Sequence, residues 1–278
     1  MTAGTLVLSV GMGDDVLNFA DATGTATTAL TNIDTEDPDC VITVDDVANA
    51  AQFDTINGKT TSNVILAGGV SDVGSKFAAT NGTATAALTS LTTQDEDVAI
   101  TITDVINIAQ AVTISNSTTG TVTFSGGVSD TSTNYSASSY ANLDVIVAED
   151  ADVVLTVSDA ADLNIVATTL SSIGSKTTGI VTVTNAINIT GTVAEATATL
   201  ITESSLVVAS ASNVKLSDDP TVAQANAIAA KCNSMKASIT GAAAALDDLT
   251  TSNTRDSLTL TINDAAAAAI NATVLSAV

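Results

Sequence analysis

Histidine and tryptophan are absent from this 278-residue chain, and arginine occurs once, at Arg255. Without imidazole the commonest general base and the commonest transition-metal ligand are missing, which excludes serine-type triads, zinc hydrolysis and imidazole-dependent phosphoryl relays. Catalysis would have to rest on carboxylates or Lys. Aromatic residues are limited to four Phe and two Tyr. A core must then be filled by Ala, Val, Ile and Leu, which suits thin, regularly stacked layers better than a bulky globular centre. Cys40 and Cys232 are the only cysteines, so a disulfide scaffold is excluded. No window reaches the roughly eighteen apolar residues of a membrane helix. The opening MTAGTLVLSVGMGDD also lacks the basic region and long apolar stretch of a cleavable secretory signal.

Basic residues are scarce as well. Thirty acidic residues stand against six Lys and the single Arg, for a formal net charge of −23. Phosphate binding needs clustered cations, so nucleic acid is excluded as a partner. The acidic surface suits salt-rich water and a medium containing divalent cations.

Repetition is what the chain does have. Residues 22 to 33 match 80 to 91 at seven of twelve positions, 41 to 52 match 99 to 110 at seven of twelve, and 61 to 72 match 119 to 130 at seven of twelve. The offset is 58 residues in all three blocks, without a gap, so the first half is a tandem duplication. Cys40 falls opposite Val98 in it, as a small core residue would. Such units must stack to bury a core. The equivalences Gly68 with Gly126 and Phe77 with Tyr135 predict a shared turn and a shared apolar plug.

A shorter signal recurs within and beyond the duplication: aliphatic, Thr, aliphatic, small polar, Asp or Asn. It is found at Ile42 to Asp46, Ile100 to Asp104, Leu155 to Asp159, Val181 to Asn185 and Leu260 to Asp264. Period-2 alternation predicts strands with the aliphatic residues inside and Thr outside, and parallel stacking predicts Thr ladders. The closing Asp or Asn predicts a turn or the cap of a following helix. Thr221 to Cys232, Gly241 to Leu249 and Asp264 to Leu275 are Ala-rich and predict short helices. Recurrences of about 22 residues complete the pattern. The expectation is a mainly β fold, an elongated parallel β-solenoid with helices only in its C-terminal third; tandem β-sandwich domains are the alternative. The corresponding divisions are an entry segment 1–21, the duplicated region 22–145, further β-coils 146–213, and β/α coils with an assembly tail 214–278.

Candidate sites are few. Paired acids at Asp14-Asp15, Asp45-Asp46, Asp218-Asp219 and Asp247-Asp248 point to opposite faces if they lie on strands, which does not suit a glycosidase pair. Clusters from Asp34 to Asp39 and from Gln94 to Asp97 occupy equivalent places in the duplicated units and offer oxygen ligands or a plain acidic loop. Gly11-Met12-Gly13-Asp14-Asp15-Val16-Leu17 resembles one copy of the G-x-G-x-D-x-U part of the nonapeptide in repeats-in-toxin proteins. That resemblance implies calcium at Asp15, and a Gly-rich turn is the other reading. More broadly, the phrases VITVDDVANAAQF, TVTFSGGVSD, LTVSDAADLNI, TVAQANAIAA and SLTLTINDAAAAAI are similar to repeats in very large secreted surface proteins of marine bacteria and cyanobacteria, and in structural proteins of their phages. The resemblance implies a non-enzymatic building block of a surface assembly: a phage virion protein first, a secreted adhesin or surface-layer component second. Its partners would be copies of itself and other surface or virion proteins. An ice-binding solenoid, suggested by Thr101/Thr103, Thr182/Thr184 and Thr259/Thr261, is a third reading. The Ala-rich tail from Ala265 to Val278 is expected to pack against a neighbouring subunit.

Overall fold

Helices are interspersed with strands from Val16 to Leu246. The structure, a computed structural model, describes residues 8–250 and 255–265. It is 35% helical and 24% strand, a mixed α/β fold with several short parallel sheets. This corrects the expectation of a mainly β solenoid with helices confined to the last third. The helices Thr28–Glu36, Ala50–Asn57, Ala86–Gln94 and Ile108–Ser115 all lie in the duplicated region. Local signals outweigh the weak helix propensity of their Thr and β-branched residues. Thr27 and Thr85 cap the backbone N–H groups of Leu30 and Leu88, and Asn49 with Gln52 and Asn107 with Gln110 form reciprocal capping boxes. Each helix then turns apolar residues inward, Leu30 and Ile33 in one, Leu88 and Leu91 in its duplicate.

The chain divides into two units, Met1–Val128 with Asp144–Val153, and Ser129–Leu143 with Val154–Val278. In the first unit, Met12–Asp14, Ile42–Val44 and Val64–Leu66 form one parallel sheet, and Val70–Asp72, Ile100–Ile102 and Val122–Phe124 another. In the second, Leu155–Val157, Val181–Val183 and Val207–Val208 pair in parallel. A five-stranded sheet runs in the order Ser257–Ile262, Ser234–Gly241, Asn213–Leu216, Asn188–Gly191, Asn164–Val166.

Strand register follows the alternation in the sequence. Ile42, Val44, Ile100, Ile102, Leu155, Val157, Val181 and Val183 are buried, and the intervening Thr43, Thr101, Thr156 and Thr182 are half-exposed. Leu260 and Ile262 are only half-buried. Thr stands opposite Thr in the pairs Thr101–Thr123, Thr156–Thr182 and Thr240–Thr261, whereas Thr43 is flanked by Gly13 and Ile65.

The elements from Thr28–Glu36 to Val70–Asp72 recur with identical bounds 58 residues on, whereas the 3-10 turn Gly74–Lys76 becomes the α-helix Ser132–Ser136; the duplication also extends further upstream than the matching blocks suggest. Met12–Asp14 precedes Val70–Asp72 by the same 58 residues, and Phe19, Phe77 and Tyr135 are all fully buried at successive 58-residue steps. Gly11, Gly69 and Gly127, likewise 58 apart, have φ of 74°, 77° and 79°, a left-handed turn that glycine enters without strain. The glycine before the second and third serves a different purpose. A Cβ on Gly68 or Gly126 would lie 2.1 Å from the backbone of Asp46 or Asp104.

Candidate functional site

The acidic residues are largely committed to the backbone. A helix leaves its first N–H groups without internal partners, and a carboxylate beside them is favoured by both hydrogen bonding and the helix dipole. Six acids at or just after strand ends take that place, each reaching the first residue of a helix 21 to 30 positions earlier in sequence. The bonds are Asp46 from Val16 (2.5 Å), Asp72 from Ala50 (3.1 Å), Asp104 from Gly74 (2.6 Å), Asp159 from Ser132 (2.7 Å), Asp218 from Val193 (2.7 Å) and Asp264 from Ala243 (2.9 Å). The expectation that this residue caps a following helix is thereby corrected: parallel stacking sets it over the helix of the preceding segment.

A second set covers sheet edges. In Asp37-Pro38-Asp39, Asp95-Glu96-Asp97 and Asp150-Ala151-Asp152, the first Asp accepts a backbone N–H: that of Leu8, ahead of the first strand, at 2.5 Å, and those of Leu66 and Phe124, both in strands, at 2.7 Å. Gln94 and Glu149 accept from Val64 and Val122, both at 3.2 Å, so the edge strands Val64–Leu66 and Val122–Phe124 are closed by side chains. Burial pushes the Asp95 and Asp150 carboxyls above their usual range; the Leu66 and Phe124 N–H groups oppose that shift, and Asp97 and Asp152 add to it. The acidic clusters are thus built into the backbone network.

Asp15 is exposed, with its backbone N–H donating to Asp14 Oδ1 at 2.9 Å. Asn18 Nδ2 donates to the same oxygen at 2.8 Å, and Asp130 Oδ1 accepts from Thr131 N and Asn134 Nδ2 in the same way 116 residues later. Gly11 to Asp14 is therefore a member of the 58-residue repeat. Calcium needs six to eight oxygens. Among the described residues no three Asp, Glu or Cys side chains converge to hold a metal ion. Asp219, beside Asp218, accepts from Thr240 Oγ1 at 3.0 Å.

Both thiols are free. Cys40 is buried, and burial, then Asp37 and Asp39, raise its pKa; Cys232 is pushed up to about 12, chiefly by burial. Neither is a poised nucleophile.

The feature that composition did not reveal is a basic groove of about 360 Å³ on the five-stranded sheet, lined by Asn188, Asn213, Lys215, Lys236 and Arg255 among others. Lys215 and Lys236 are exposed partners on adjacent strands, alternating with buried Val214 and Met235. Beside them runs an asparagine ladder: Asn213 Nδ2 donates to Asn188 Oδ1 at 3.2 Å, Asn233 Nδ2 to Asn213 Oδ1 at 3.1 Å, and the Arg255 guanidinium to Asn233 Oδ1. The only available signal was the spacing of Lys215 and Lys236, which becomes meaningful once the strand period there is known to be 21 residues; Arg255 stands two residues before Ser257, the strand partner of Lys236. A larger hollow of about 570 Å³ is lined by Lys176, Thr177, Ile180, Glu203, Leu206 and neighbours, with Lys176 5.8 Å from the centre of the Tyr140 ring.

No family model, curated protein or solved structure matches the chain. Among the described residues no helix is long and apolar enough to cross a membrane.

Proposed function

We propose that the protein is a non-enzymatic building block of a surface assembly, self-associating through its sheet edges. The observation that supports this is the contrast between edges. Val64–Leu66 and Val122–Phe124 are closed by Gln94, Asp95, Glu149 and Asp150, whereas Ser257–Ile262, six residues long, pairs only with Ser234–Gly241 among the described residues. Its Leu258, Leu260 and Ile262 stay half-exposed, while Ala237 and Ile239 one strand inward are buried. A long apolar edge is a template for another chain. The tail from Ala265 to Val278, expected to make a subunit contact, lies outside the described residues beyond Ala265.

The setting follows from the resemblance in the repeats: a phage virion component is the first reading, a secreted adhesin or surface-layer component the second. Abundant carboxylates and scarce cations disfavour nucleic acid as a partner in either. Light scattering on the intact protein and on a Leu258→Lys/Leu260→Lys variant tests the reading, because inward-pointing charges blunt an edge. The wild type should be oligomeric and the variant monomeric with an unchanged far-UV spectrum. Equal masses for the two would remove the edge from the assembly.

A further inference from the structure

We propose that the basic groove over Asn188, Asn213, Lys215, Lys236 and Arg255 receives carboxylates of a second copy of this chain, supplied by Asp39, Asp97 and Asp152. The inference rests on the building-block reading and identifies a contact surface for it.

Lys215 and Lys236 are direct partners in the parallel ladder. Neighbouring strands lie about 5 Å apart, and like charges in that position repel. The chain has thirty acidic residues, yet among the described residues neither Lys forms an ion pair. The repulsion is therefore left standing beside a third cation, Arg255. The ladder of amides holds the wall of the groove in one arrangement, with Ser234 Oγ also donating to Asn213 Oδ1 at 2.7 Å. A fixed polar wall beside two like charges is an arrangement that an incoming carboxylate completes, since it accepts from Lys, Arg and amide donors alike.

The distribution of charge argues for the occupant. The unit that holds the groove carries five of the seven basic residues and eleven acids; the other carries two basic residues and nineteen acids. Asp39, Asp97 and Asp152 are exposed at equivalent positions of the three Asp-x-Asp turns, each next but one to an Asp anchored on a backbone N–H. They are thus exposed carboxylates on firmly held turns, Asp97 and Asp152 lying beside Asp95 and Asp150. Two different, complementary surfaces on one chain define a head-to-tail contact, which closes into rings or runs on as filaments. The net charge of −23 opposes any meeting of two copies. At about 0.15 M salt the screening length is about 8 Å, so distant repulsion is damped while contacting charges still attract.

The test uses the full chain and charge reversal. Sedimentation velocity at 0.15 M NaCl compares the wild type, Lys215→Glu/Lys236→Glu, Asp39→Lys/Asp97→Lys/Asp152→Lys, and an equimolar mixture of the two variants. All substituted side chains are exposed, and circular dichroism with the milder Lys215→Gln/Lys236→Gln and Asp→Asn sets guards against misfolding. Each reversed variant should associate at least about ten-fold more weakly than the wild type, and mixing them should restore association because opposite charges again face each other. Wild-type assembly with no change on Lys reversal would overturn the groove and leave the building-block reading intact. A wild type that stays monomeric would overturn both. Unchanged assembly with loss of binding to a sulfated polysaccharide in the Lys variants would make the groove a glycan site and overturn the proposal.

Discussion

Asp159 offers the sharpest test of how the carboxylates stabilise this fold. It is fully buried; Oδ2 accepts the Ser132 backbone N–H at 2.7 Å and Oδ1 the Ser132 hydroxyl at 3.1 Å. Replacing it with Ala removes both acceptors at the first residue of the helix Ser132–Ser136. An orphaned buried donor costs about 1–3 kcal/mol, and the hydroxyl can rotate away, so the loss should be about 3 kcal/mol in total. For a chain of this size that corresponds to a fall in melting temperature of about 6–12 °C. Asp159→Asn should behave differently. Its Oδ1 can still accept the N–H, and its amide can donate to a hydroxyl that turns to accept, so the loss should stay below about 1 kcal/mol. Calorimetry with urea titration on the three proteins decides the matter. If Ala is as stable as the wild type, or Asn is as damaging as Ala, the carboxylate is not acting as a helix cap.

Other perturbations follow from the same contacts. Gly68→Ala or Gly126→Ala drives a Cβ into backbone 2.1 Å away and should cost about 3 kcal/mol or prevent folding, whereas Gly58→Ala, 3.3 Å from the nearest atom at negative φ, should be close to neutral by urea melt. Asp95 and Asp150 have raised folded-state pKa values, so their contribution to stability is fully present below the unfolded carboxylate range and is lost as pH rises through the folded values. Asp95→Asn/Asp150→Asn should therefore flatten the stability–pH profile on the acid side of neutrality while keeping an acceptor for Leu66 and Phe124; an unchanged profile would refute this. Calcium, compared with chelator in a thermal melt, should leave the midpoint in place, and Asp15→Ala should not alter that result; a large shift abolished by the substitution would place calcium at the repeats-in-toxin-like segment after all.

What the sequence conveys well is repetition and strand register, because both are carried by residue type at fixed spacing. Ile42, Val44, Ile100 and Ile102 are buried as their alternation with Thr requires. The helices were harder to read, since Thr28–Glu36 and Ala86–Gln94 are rich in Thr, and their evidence lies in single caps such as Thr27 and Thr85. Asn49 with Gln52 and Asn107 with Gln110 were visible as pairs, yet the segments after them pass equally well for buried strands. The upstream continuation of the repeat is faint in sequence, because between Gly11 and Asp21 only Gly11, Asp14, Phe19 and Ala20 are identical to the residues 58 positions on. Reach between stacked segments was illegible: nothing in the spacing of Asp46 indicates that it bonds to Val16, or in Lys215 that it stands beside Lys236. Those pairings exist only once the parallel register is fixed.

Self-assembly is the central claim, and electron microscopy of the purified full-length protein across a wide concentration range tests it most directly. Rings, filaments or a periodic array are expected, and they should disappear in the Leu258→Lys/Leu260→Lys variant. Isolated single molecules at every concentration, with the Ser257–Ile262 edge open to solvent, would contradict it.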